Sequence, residues 1–172
     1  MKIILRTCFI LLFLQVLGTR VKAQATIDET NLITRLSGLN SLNISDAEKY
    51  FIDHGFTLLS KQTIPQATYS MDLYKYKLKD QPSSYLLTVI SGGVTGSGLI
   101  TYNEEDYQQA VKIVTDMSFT LGEAMTPESG KTVFAKGNLR FLIQKKSTNN
   151  KIFYVMMLND LLKMAQLSGL KK

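Results

Sequence analysis

Cysteine and histidine are almost missing from this chain: among 172 residues each occurs once, as Cys8 and His54, and tryptophan is absent. A zinc site of the usual His/Cys kind needs three or four such ligands, so none is expected. A Ser-His-Asp triad would have to use His54, and adjacent Asp53 points elsewhere on a helix, where it orients nothing. Acidic residues are also sparse. The cluster "NEEDY" (103–107) reads as the first turn of a helix, where the macrodipole favours carboxylates, rather than as a calcium loop. Glu123, Glu128 and Asp160 are too scattered to assign as a hydrolytic carboxylate pair. Neither a catalytic residue, a metal site nor a cofactor is expected.

Long hydrophobic runs are missing too, apart from one at the N-terminus. "MKIILRTCFILLFLQVLGTRVKAQA" has Lys2 and Arg6, an apolar run from Cys8 to Leu17, and small or β-branched residues before Gln24. That is the layout of a secretory signal peptide over 1–23, since about 20 apolar residues are needed to span a bilayer. An exported protein, periplasmic or secreted, with no integral membrane segment after cleavage is therefore expected. Lys2, Arg6, Arg20 and Lys22 lie in that leader, so the formal charge of +6 falls to +2 without it. A charge so small gives no mandate for nucleic acid. Cys8 leaves with the leader, so the remainder must stand on its apolar core rather than on disulfides.

What is present is a patterned α+β chain. Residues 24–43 are expected to form a helical lead-in, with "TIDETNLITRLSG" ending at Gly38. A second helix is expected from Ser45 to Gly55. The extended runs "FTLLSKQT", "MDLYKYKLK" and "YLLTVIS" follow, and the last is apolar enough to be central in a sheet. "GGVTGSG" is expected to reverse the chain into "LITYN". A third helix starts at Asn103 and places Tyr107, Ala110, Val111, Val114 and Met117 on one face. Then come the extended runs "FTLGEAM", "TVFAKGNLRFLIQKK" and "KIFYVMML", and a final helix over 159–169.

The stretches "YFIDHGFTL" and "IVTDMSFTL" lie 63 positions apart, each where a helix passes into a first strand. Ala47/Ala110, Lys49/Lys112, Asp53/Asp116, Phe56/Phe119, Thr57/Thr120, Leu58/Leu121 and Thr63/Thr126 match without gaps. The expectation is a single domain over 44–172. It would hold tandem α-β-β-β repeats (about 44–102 and 103–158) in one antiparallel sheet, helices on one side and short terminal helices added. His54 aligns with Met117, so the echo reads as scaffold rather than as a doubled active motif.

This order is similar to the tandem α-β repeats of small exported bacterial binding proteins, including the β-lactamase-inhibitor-protein-like fold. "HGFTL" also resembles, more loosely, the helix exit in glyoxalase-type proteins. The metal ligands of that second family are strand His and Glu, and this chain has no strand His.

Function is therefore expected to be binding: a non-catalytic module whose partner is a protein, a peptide or an envelope component. In "YKYKLK" the alternation puts aromatics on one side of a strand and ammonium groups about 6.6 Å apart on the other. Contacts are expected from an outer sheet face around Tyr74, Lys75, Tyr76 and Lys77, and from the loop holding Gly92, Gly93, Gly96 and Gly98. The alternatives are a metal-independent hydrolase or lyase using Asp/Glu and Tyr, or an assembly component pairing through a sheet edge.

Overall fold

The computed structural model describes residues 31–122 and 130–169. The expected leader, the start of the expected lead-in helix, the last three residues of "FTLGEAM" and residues 170–172 lie outside them. The described residues form four helices and eight strands. These are α1 (Leu32–Ser41), α2 (Ile44–Asp53), β1 (Phe56–Pro65), β2 (Ser70–Leu78), β3 (Ser84–Ile90), β4 (Gly93–Thr101), α3 (Glu104–Asp116), β5 (Thr120–Leu121), β6 (Lys131–Lys136), β7 (Leu139–Thr148), β8 (Lys151–Asp160) and α4 (Leu161–Leu167). The strands make one antiparallel sheet in the order β1-β2-β3-β4-β8-β7-β6-β5. The fold is mixed α+β and dominated by its sheet.

Asparagine sets three of the four helix starts. The Asn31 side chain accepts from Thr34 N, that of Asn43 from Asp46 N and that of Asn103 from Glu105 N; Asp160 does the same for Lys163 N. Each satisfies an amide that the first turn leaves unpaired. The expected start at Ser45 is thus displaced to Asn43, and α1 runs through Gly38 to Ser41. Burial carries it past the glycine: Leu39 and Asn40 in that last turn are inside the protein, and Asn40 Nδ2 donates to Leu158 O at 2.9 Å.

Each strand alternates between an inner and an outer face. Tyr76, Tyr85, Leu99 and Met156 are paired in sequence across β2, β3, β4 and β8 and so share the inner face. Helices meet that face at several points. Phe51 of α2 stacks on Tyr76, Ser97 Oγ donates to Leu36 O of α1 at 2.8 Å, and Tyr107 of α3 stacks on Tyr154. Phe51, Leu36, Leu87, Phe141, Met156 and Leu158 are fully buried there. At about 25 cal/mol per Å² this apolar burial is the main force holding the sheet.

Two expectations about turns are corrected. "TVFAKGNLRFLIQKK" is two strands, because Gly137 has φ 54° and Lys136 pairs with Leu139 in a tight reversal. "GGVTGSG" is not a loop: the turn is Ser91 and Gly92 alone, with φ of 48° and 77°, and β4 begins at Gly93. Positive φ at both central residues suits the twist of a two-residue hairpin.

Candidate binding face

Register carries the outer face across the sheet row by row. In one row Lys75 of β2 is followed by Leu86, Gly98, Met157, Leu142 and Val133. In the next row stand Lys77, Ser84, Ile100, Val155, Gln144 and Lys131. Arg140, paired with Asn159, lies in the row on the other side, and Lys146, paired with Phe153, lies beyond the second. The outer face therefore has an apolar middle on β4, β8 and β7 with cations toward its margins.

The charges are sorted by side. Among the described residues the strands hold two carboxylates, Asp72 and Asp160. Asp72 shares the parity of buried Tyr74 and Tyr76, and Asp160 caps α4, so both are off the outer face. Seven more carboxylates ride on α2 and α3: Asp46, Glu48, Asp53, Glu104, Glu105, Asp106 and Asp116. Lys75, Lys77, Lys131, Arg140 and Lys146 thus share a face with no described carboxylate among its strand residues. Arg140 is partly tied down, since its Nη1 donates to Gly137 O at 2.7 Å and Leu139 O at 2.9 Å.

Of the residues expected to make contacts, Lys75 and Lys77 are on this face and half-exposed. Tyr74 and Tyr76 are not, a correction to the expected patch. They are 6% and 2% exposed on the inner face, and Tyr76 lies under Phe51. A ring and an ammonium group adjacent in a strand cannot present to the same partner. The glycines are corrected as well. Gly96 and Gly98 are buried in β4, where a Cβ on Gly98 would stand 2.6 Å from Met156 O and one on Gly96 would strike Asn159 Oδ1 and Thr88 Oγ1. Gly93 lies against Leu167 of α4 and bridges to Asn43. Gly92 is exposed, and its carbonyl accepts from Ile44 N at 2.8 Å, so it fastens a turn to the α1–α2 junction. Gly93, Gly96 and Gly98 thus serve packing, whereas Gly92 stays at the surface.

Lys131, Arg140 and Lys146 escaped sequence reasoning. The signal for Arg140 and Lys146 is the alternation in "LRFLIQKK" and that for Lys131 the alternation in "KTVFAK", but their relation to Lys75 and Lys77 exists only once β8 separates β4 from β7.

The inner face carries polar groups of its own. At the β1 margin Lys61 Nζ sits 3.1 Å from Asp72 Oδ2 and 5.0 Å from the centre of the Tyr74 ring. The Tyr74 hydroxyl first, then Asp72, raises the Lys61 ammonium above its ordinary value. The Thr63 hydroxyl, which donates to Asp72 Oδ1 at 2.6 Å, and then Lys61 lower the Asp72 carboxyl. A cleft of about 450 Å³ opens between α1, α3 and the sheet, lined in part by Arg35, Tyr85, Asp106 and Gln109. Arg35 Nη1 donates to the Tyr85 hydroxyl at 2.6 Å, and Asp106 accepts from Thr101 Oγ1 at 2.7 Å. These bonds knit helices to strands.

His54 is the C-cap of α2, with Nδ1 2.7 Å from Tyr50 O and its ring 4.2 Å from the Tyr50 ring. Among the described residues no group of three or more His, Cys, Asp or Glu could hold a metal ion, and no helix is long and apolar enough to cross a membrane. Compared with protein-family models, with curated proteins and with solved structures, the chain matches none.

Proposed function

We propose that this chain is an exported, non-catalytic binding module of the bacterial envelope or exterior, and that the outer face of its sheet holds an anionic partner. The carrying observation is the sorting of charge: Lys75, Lys77, Lys131, Arg140 and Lys146 occupy one face, and the described strand carboxylates stand off it. Such a one-signed face draws in a partner of opposite sign and repels a cationic one. An apolar middle with a charged margin also matches the general anatomy of a recognition surface. Export rests on the leader pattern of residues 1–23.

The scaffold reading belongs to the same proposal. Strand order β1-β2-β3-β4-β8-β7-β6-β5, with α2 before the first four strands and α3 before the second four, supports two copies of an α-β-β-β-β unit. They would be joined edge to edge at β4 and β8, with their helices over one face. The unit gains a strand over the three expected.

The test is affinity capture from an envelope extract by Gln24–Lys172, with and without Lys75→Glu and Lys77→Glu. The expected result is a captured component lost in the double variant and kept when Glu104→Gln and Glu105→Gln are made on α3 instead. Capture that survives Lys75→Glu and Lys77→Glu overturns the reading.

A further inference from the structure

The cations of the outer face are not evenly spread. Lys77 is the last residue but one of β2, Lys131 begins β6, and Lys146 and Lys151 flank the β7–β8 turn, so four gather at one end of the face. Between them is an apolar patch. Ile100 pairs with Val155, and the rings of Tyr102 and Phe153 lie 6.0 Å apart. Tyr102 is 49% exposed. The turn itself is Asn149 and Asn150, both at positive φ. Asp80 lies in the β2–β3 turn at this end, and Glu104 and Glu105 belong to the first turn of α3, whose Tyr107 stacks on the inner-face residue Tyr154.

We infer that this end of the outer face is a docking surface for an anionic lipid bilayer, with Tyr102 and Phe153 seated at the headgroup level and Lys77, Lys131, Lys146 and Lys151 over the lipid phosphates. It rests on the reading of the outer face as an anion-binding surface and names the partner. An extended polyanion needs a track of cations, whereas here they surround an aromatic and aliphatic patch. A bilayer answers both parts at once: its interface takes amphipathic rings and aliphatic side chains, and its phosphates take the ammonium groups. The projecting tip of two ten-residue strands brings both to the surface together.

The experiment is co-sedimentation of Gln24–Lys172, which keeps every described residue, with vesicles of phosphatidylcholine plus phosphatidylglycerol and with phosphatidylcholine alone. The protein should partition into the anionic vesicles only, and less so as salt is raised. Lys146→Gln with Lys151→Gln should lower that partition about 30-fold, since each lysine near such a surface contributes about fivefold. Lys49→Gln with Lys112→Gln, on α2 and α3, should leave it unchanged. A positive readout comes from Tyr102→Trp, a single reporter in a chain without tryptophan, whose emission should shift to the blue on anionic vesicles. No partition, equal partition into both vesicle types, or an unshifted Tyr102→Trp emission overturns the inference. So does binding only to a soluble polyanion or an acidic protein. If capture is lost in Lys75→Glu/Lys77→Glu while vesicles stay unbound, the bilayer alone is refuted and the anion-binding face stands.

Discussion

The Phe51 ring lies parallel to that of Tyr76, with centroids 4.3 Å apart and planes 7° apart. Both residues are almost fully enclosed, and Phe56 and Tyr85 meet Phe51 at steeper angles. This cluster fixes α2 to β2 and β3. Phe51→Ala should cost about 3–5 kcal/mol, because the stacked rings around it cannot collapse into the space. Urea unfolding followed by circular dichroism measures the loss.

Tyr76 carries a hydroxyl into that cluster, and among the described residues it has no hydrogen-bond partner. Burial first, and the nearby Glu48 carboxylate second, raise its phenol far above the ordinary 10.0. The neutral form is therefore favoured by folding. Its contribution is fully present below pH 10.0 and is lost as pH climbs from there toward the raised value. Tyr76→Phe should stay within about 1 kcal/mol of the parent at neutral pH. It should also unfold less readily than the parent above pH 10.0, and coincident alkaline midpoints would refute this.

Asp72 behaves in the opposite sense. Its carboxyl is lowered from 3.8 by the Thr63 hydroxyl and Lys61, so its contribution is present above 3.8 and fades as pH falls through the depressed value. Asp72→Asn should cost no more than about 1 kcal/mol at neutral pH, given the exposure of the pair. Stability curves of parent and variant should converge in acid.

Gly96 and Gly98 should resist substitution unequally. A methyl at 98 meets the Met156 carbonyl, which is backbone and cannot turn away. At 96 it meets the ends of Asn159 and Thr88, which can rotate. Gly98→Ala should cost roughly 1–3 kcal/mol and Gly96→Ala less. Gly92→Ala has open space and is limited by its φ of 77° to a cost of about 1 kcal/mol. Thermal denaturation of the three variants gives the ranking.

Where the chain could be read in advance, a local period was at work. The alternation of "YKYKLK" set Tyr74 and Tyr76 opposite Lys75 and Lys77, although it did not say that the rings face inward, and α3 buries Ala110 and Val114 on the face its spacing marks. The uniformly apolar "YLLTVIS" is β3, buried along nearly its whole length. Reading failed where small residues serve packing. Gly93, Gly96 and Gly98 resemble loop punctuation, yet they are the strand that lets Asn159 and Met157 of β8 come close. Half of the candidate face was legible, as the lysines of β2. The other half depends on register between strands far apart in sequence, which no local pattern encodes.

The place of β8 sets an order on events. Among the described residues it is the last strand, and it lies between β4 and β7. While the protein is being made, the β1–β4 and β5–β7 meanders can form, but the sheet stays in two pieces until Lys151–Asp160 arrives. Closing it joins partners such as Ser97 and Leu158, a long-range step that is slow because of the chain enclosed. A nascent chain stopped short of β8 would therefore hold two open edges toward one another, ready to accept that strand from another copy.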